Sequence, residues 1–172
     1  PAGTPMQFFR DPGRALQLKS GWYIPTGVSA TANTSDCPGA GQCGAIHWFR
    51  ADNESMTHLN HTGLLYSSKR TTVMECPDVF ELDGKIVVLV GADGITQFWV
   101  GQMRDDDHKF VPDYKGKLDY GKSGRSIYAA KTGTSALPPF TRRVAFGFSG
   151  WSNNVVSRCA RWYVLPRELS IS

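Results

Sequence analysis

The chain has 172 residues, 41% hydrophobic and 20% charged, which allows one domain with a sizeable core. Its net charge of +4 comes from scattered Lys and Arg, with no cluster longer than a pair such as Arg142-Arg143; this excludes a basic stripe that tracks phosphates and sets nucleic acid aside as a partner. No apolar run approaches the ~18 residues of a membrane span, and the opening Pro1-Ala2-Gly3-Thr4 has neither an initiator Met nor a signal pattern, as expected of a chain processed or truncated at its start.

In chain order, short segments rich in β-branched and aromatic residues fall at 6–9, 21–24, 45–49, 63–66, 79–82, 85–91, 96–103, 126–130, 143–148 and 161–165. Turn signals separate them: Asp11-Pro-Gly, Lys19-Ser-Gly, Asp83-Gly, Ala92-Asp-Gly and Lys122-Ser-Gly. Apolar residues nowhere recur at helical spacing over three turns, so the pattern predicts an all-β chain of meanders with helix nearly absent.

Between the second and fourth segments lies a polar stretch, expected to be a loop insertion over about 29–60. It holds three N-x-[ST] sequons, at Asn33, Asn53 and Asn60, which favour the secretory pathway. Cys37 and Cys43 flank Pro-Gly-Ala-Gly-Gln, a loop that a disulfide could close, the alternative being two free thiols. Cys76 and Cys159 read as unpaired, and no His or second Cys pair has zinc-site spacing, so neither metal nor cofactor is expected.

A weak internal repeat organises the strands. Asp11-Pro12 and Cys76-Pro77 each precede a strand, a turn and a hydrophobic strand beginning Gly21-Trp22-Tyr23-Ile24 or Gly84-Lys85-Ile86-Val87, a unit recurring about every 65 positions. With the insertion removed, this period suits four-stranded propeller blades, three of which account for most of the chain; a sandwich fits the same local pattern. Blades bring their first strands to a common axis. Arg10-Asp11-Pro12 and Glu75-Cys76-Pro77 would then converge, and a pair of carboxylates ~5–5.5 Å apart is what retaining glycoside cleavage uses. The plain alternative is a turn-forming Asp-Pro and a solvated Glu at a strand edge.

The stretch from Met74 to Lys85, Met-Glu-Cys-Pro-Asp-Val-Phe-Glu-Leu-Asp-Gly-Lys, resembles the acid/base motif of family 32 glycoside hydrolases, the invertases and fructanases. Phe9-Arg-Asp-Pro12 resembles that family's second motif. Asp119-Tyr-Gly-Lys122, Ile127-Tyr-Ala-Ala-Lys-Thr132, Arg142-Arg-Val-Ala-Phe-Gly-Phe148 and Leu165-Pro-Arg-Glu-Leu-Ser170 look like later landmarks in the family's order. The resemblance implies that residues 1–172 form an incomplete five-bladed β-propeller of about three to four blades. It implies Glu75 as acid/base and Asp11 as the group that binds fructosyl hydroxyls in the transition state. The acid role requires Glu75 to hold a proton when substrate arrives, through burial or a nearby negative charge; Asp11 has to stay ionised, with Arg10 able to help. Cys76 is implied to tune and pack the pocket rather than attack, since no His close in sequence would activate it. Asp119 and Lys122 match positions that contact the leaving sugar, or else form a charged turn.

The family's nucleophilic Asp belongs to a Trp-Met-Asn-Asp-Pro-Asn-type motif upstream of Arg-Asp-Pro, and none of the nine residues before Arg10 is acidic. The β-sandwich that follows the Leu-Pro-Arg-Glu segment is likewise missing. The expectation is therefore a component of a secreted, cell-wall or vacuolar hydrolase that cleaves β-fructofuranosyl linkages of sucrose or fructan with retention. A second polypeptide or segment would complete the propeller and supply the sandwich. The alternative is a non-catalytic carbohydrate-binding or assembly component, and a third possibility is a related hydrolase of arabinose or xylose polymers.

Overall fold

The computed structural model describes residues 9–30, 43–68, 73–119, 127–134, 142–149 and 162–171. Among them every regular element is a strand, arranged in three antiparallel sheets. In the first sheet, β1 (Phe9–Pro12) and β2 (Leu16–Leu18) both pair with β3 (Gly21–Ala30) and act as one interrupted inner strand. The Gly13 N–H donates to Pro25 O at 2.7 Å across the break. β4 (Cys43–Ala51) and β5 (Leu59–Ser68) complete this sheet. The second sheet is a simple meander of β6 (Glu75–Leu82), β7 (Lys85–Ala92), β8 (Ile95–Met103) and β9 (Phe110–Lys117). In the third, β10 (Tyr128–Thr134) pairs with β11 (Arg143–Ser149), whose far side takes both β12 (Trp162–Tyr163) and β13 (Arg167–Leu169).

The sheets stack as blades, with β1 and β3 against β6 and β10 against β6 and β7. The central blade explains the run Ile86-Val-Val-Leu-Val90, which lacks the polar alternation of a strand with one wet face. Val88 and Val90 pack with Ile46, Trp48, Leu65 and Trp99 on one side. Val87 and Leu89 pack with Phe80, Ile127 and Ala130 on the other. Trp48 and Trp99, each 2% exposed, are core residues. The first two blades approach so closely that a Cβ on Gly27 would stand 2.2 Å from Met74 O, which leaves room only for glycine.

A buried polar clasp joins the second and third blades. The Asp78 carboxylate accepts hydrogen bonds from Thr132 N and Thr132 Oγ1, both at 2.7 Å. Thr132 Oγ1 accepts in turn from Arg143 Nε at 2.8 Å, and that guanidinium lies over the Phe80 ring, 4.1 Å from its centroid. Asp78, Thr132 and Arg143 Nε are paired, as burial of polar groups requires, whereas Arg143 Nη2 is buried without a hydrogen-bond partner among the described residues.

Two turn signals form as read. Asp83-Gly84 and Asp93-Gly94 all adopt positive φ (50°, 74°, 53° and 77°), the geometry of tight two-residue hairpins. Other expectations need correction. The stretch 29–60 is not one loop: β3 continues to Ala30, and β4 crosses its middle as a buried strand. β4 is built on the apolar segment expected at 45–49, with Gly44 and His47 carried inside. β2 and β13 are three-residue strands, too short to show a period. β9 contains Pro112, Asp113, Lys115 and Lys117 and is mostly exposed; these are residues that blunt an edge strand against further pairing, and they also disguise it.

Asn53 and Asn60 are exposed, around the β4–β5 turn. Cys43 is buried at the start of β4. Asn33, Cys37, Lys122 and Cys159 lie outside the described residues, and with them the expected Cys37–Cys43 bridge.

Candidate active site

Each inner strand carries the same irregularity near its start. The pairing register shifts between Arg10 and Pro12 in β1, between Glu75 and Asp78 in β6, and between Tyr128 and Lys131 in β10. One residue in each bulge is left-handed without being glycine: Asp11 (φ 54°), Cys76 (φ 50°) and Ala129 (φ 49°). Such a conformation costs about 1 kcal/mol or more per residue, and a bulge re-aims the side chains beside it. Arg10-Asp-Pro, Glu75-Cys-Pro and Tyr128-Ala-Ala are therefore the same structural unit in successive blades. The residues preceding the strained positions, Arg10, Glu75 and Tyr128, are the ones brought together.

Their contacts form a continuous chain. Arg10 Nη1 lies 2.8 Å from Glu75 Oε1, and Arg10 Nε lies 3.2 Å from Asp11 Oδ2. The same Asp11 oxygen accepts the Cys76 N–H at 3.2 Å. The Tyr128 hydroxyl donates to Glu75 Oε2. Arg10 thus bridges both carboxylates instead of serving Asp11 alone. Exposure falls along the chain, from 45% for the Arg10 side chain through 33% for Asp11 to 17% for Glu75, so Glu75 is the deepest carboxylate and the others stand nearer the opening.

Sequence reading places Tyr128 in the Ile127–Thr132 landmark and assigns it no role in the site. The available signal was its position, since Tyr-Ala-Ala holds the bulge that Arg-Asp-Pro and Glu-Cys-Pro hold in the preceding blades. The missing proline hid the third copy. Burial first, then the hydrogen-bonded Glu75 carboxylate, pushes the Tyr128 phenol well above its ordinary value, so it remains a donor. Gly91, the β7 residue paired with Glu75, makes space for its ring: a Cβ there would stand 2.9 to 3.1 Å from Tyr128 Cζ, Cε2 and Oη. Gly91→Ala should lower turnover about tenfold, the cost of misplacing one hydrogen bond. If it acts through the phenol, adding Tyr128→Phe should cause little further loss. Additive losses in the double-mutant cycle would show instead that Gly91 acts independently of Tyr128.

Cys76 is a free thiol. Burial, then the negative charge of Asp11, raises it to about 11, with Lys131 pulling the other way and Glu75 adding to the rise. It is neutral at working pH and therefore suited to packing rather than attack. Alkylation of Cys76 in the folded protein is expected to be slow at pH 8 and to accelerate as pH rises toward 11. Reaction as fast as that of a free cysteine at pH 8 would contradict this assignment.

Of the other expected site residues, Asp119 directly follows Leu118, whose N–H donates to Thr96 O. Its described ion pair is with Arg167 Nη2 at 3.8 Å, not with the Glu75 cluster. No group of three or more His, Cys, Asp and Glu side chains among the described residues is arranged to hold a metal ion.

Face-to-face antiparallel blades, with bulged inner strands that deliver an arginine, two carboxylates and a phenol to one end of the stack, define a partial β-propeller with a paired-carboxylate site. The chain belongs to glycosyl hydrolase family 32: the model of that family's N-terminal domain matches residues 1–172. Among solved structures it is similar to the family 32 beta-fructofuranosidase of Bombyx mori, with 24% identity and a TM-score of 0.71 over 94% of this chain and 35% of that one. It is also similar to fructan 1-exohydrolase IIa of Cichorium intybus, with 20% identity and a TM-score of 0.74 over 95% of this chain and 33% of that one. For the beta-fructofuranosidase of Aspergillus kawachii the values are 17% and 0.74, over 99% and 36%. At these identities the likeness concerns the fold, and the chain spans about a third of the length of each structure. No curated protein sequence matches it.

Proposed function

We propose that this chain supplies the acid/base half of a retaining β-fructofuranosidase site. Glu75 protonates the glycosidic oxygen while a carboxylate from another propeller segment attacks the fructosyl C2; Glu75 then takes a proton from the water that releases fructose. With one Asp11 oxygen fixed by the Cys76 N–H, the other is available to sugar hydroxyls. At rest Glu75 Oε1 is ion-paired with Arg10, and Tyr128 holds Oε2 as an acceptor. The proton delivered to substrate therefore travels on Oε1, which requires Arg10 to swing from Glu75 toward Asp11 or the sugar. Cys76 lines the pocket, and Asp119 and Lys122 contact the leaving sugar. The completing segment lies on this polypeptide or on a second one, which the intact mass of the native particle distinguishes.

The observation that carries this reading is the bridge from Asp11 through Arg10 to Glu75, which joins two carboxylates on adjacent inner strands. Sucrose as substrate is supported by a variant of the similar Bombyx mori enzyme that forms a complex with sucrose. The test follows fructose release from sucrose by NMR, using the protein with its propeller complete. Release of the retained β-anomer is expected. Inversion would remove the covalent mechanism, and binding without release would favour the non-catalytic alternative.

A secreted, cell-wall or vacuolar location belongs to the same proposal, supported by the exposure of Asn53 and Asn60. A bridge between Cys37 and Cys43 fits such a compartment. Endoglycosidase treatment of the native protein should lower its mass by at least one glycan, and an unchanged mass would count against the secretory route.

A further inference from the structure

At the end of the blades opposite Glu75 the first two sheets enclose a second concavity. β6 starts at Glu75, which pairs with Gly91, and Gly91 pairs with Thr96. β8 then runs from Thr96 to Met103, so the turn after Met103 lies roughly 25 Å from the Glu75 end. There residues 104–109 face the β2–β3 turn of the neighbouring blade across a cleft of about 500 Å³.

Three adaptable polar groups meet on its wall. Ser20 Oγ lies 2.6 Å from His108 Nε2 and 2.9 Å from the Tyr23 hydroxyl. Each of these groups can donate or accept, and each can exchange its present partner for a ligand hydroxyl. The wall is also preorganised. Trp48 Nε1 donates to His108 O at 2.9 Å, the His108 ring stands edge-on to Tyr23 with centroids 5.0 Å apart, and His108 is held left-handed at φ 53°. The nearby charges cancel: Asp107 pairs with Arg104 and with Lys109, and Asp106 lies 3.7 Å from Arg104. A concave, partly apolar wall with a few convergent hydroxyl and imidazole groups and no net charge suits an uncharged polyhydroxyl ligand better than an anion or a cation. Among the described residues no carboxylate is hydrogen-bonded to His108, so Ser20 lacks the relay that would make it a nucleophile.

We propose that this cleft is a second binding site, separate from Glu75, for a neutral oligosaccharide. It would hold a sugar chain against the far rim of the propeller while another is cleaved. The proposal extends beyond the catalytic reading and stands on different residues.

The experiment titrates the complete-propeller protein carrying Glu75→Gln with 1-kestose and with maltotriose, one furanosyl and one pyranosyl probe, by calorimetry. With at least one of them, a binding event is expected that Ser20→Ala weakens about tenfold, the loss of one or two hydrogen bonds. Ser20 is exposed, so the substitution leaves the core intact; sucrose turnover of the single Ser20→Ala variant should be unchanged. Absence of any Ser20-sensitive event with both probes overturns the proposal. Failure of the unsubstituted protein to cleave sucrose would remove the catalytic reading and leave this titration interpretable.

Discussion

Glu75→Gln is expected to reduce turnover of sucrose by about 10³-fold or more, since a positioned general acid contributes roughly 10²–10⁴ and Glu75 is proposed to act in both half-reactions. Glutamine has nearly the same shape, and its amide oxygen still accepts the Tyr128 hydroxyl. What disappears is the transferable proton and the charge facing Arg10 at 2.8 Å. Because the Arg10 side chain is 45% exposed, that pair contributes at most about 1 kcal/mol to stability, and the variant should melt within a few degrees of the parent. The discriminating measurement uses a fructoside whose leaving group needs no protonation. Its first, bond-breaking step should recover much of the lost rate, whereas the water-dependent second step should stay slow. An equal loss with both substrates at the first step would mean that Glu75 acts by some means other than donating a proton.

The largest stability effect is expected at Asp78, three residues along the same strand. Asp78→Ala should destabilise the protein by about 3 kcal/mol, within the range for breaking a buried charged network. Asp78 is 1% exposed and accepts two bonds from Thr132; without it, the Thr132 N–H is left unsatisfied in the blade interface. Arg143 suffers as well: burial pulls its guanidinium below the ordinary arginine value, and the charge of Asp78 is the main force holding it up. For a domain of this size the loss corresponds to a melting shift of roughly 6–12 °C, read by thermal unfolding of the completed protein. Asp78→Asn, which keeps one acceptor, should fall between. Parent-like melting of the alanine variant would show that the clasp adds no net stability.

The two sites were legible to different degrees. Asp11 and Glu75 stand out because each precedes a proline at the head of a strand, and the structure places both at bulges. Asp78 gave no such signal. In Pro-Asp-Val it reads as an ordinary polar residue on a strand edge, yet the neighbouring blade covers it completely. Arg10 could be paired with Asp11 by adjacency, but its bond to Glu75 spans 65 positions and depends on how two blades stack. The Ser20–His108 cleft spans 88 positions and joins two turns that look solvated.

Local sequence determined the strands and their turns. Short β-branched runs favour pleated structure, and Asp-Gly pairs at 83–84 and 93–94 accept the positive φ that tight hairpins impose. It also determined which residue types were available at the strand heads. The tertiary structure alone decided which of them meet. A bulge is a property of register between two strands, and the direction in which Arg10, Glu75 and Tyr128 point follows from three such bulges lying side by side. No composition or spacing within one segment contains that information, because the partners that fix it come from other blades.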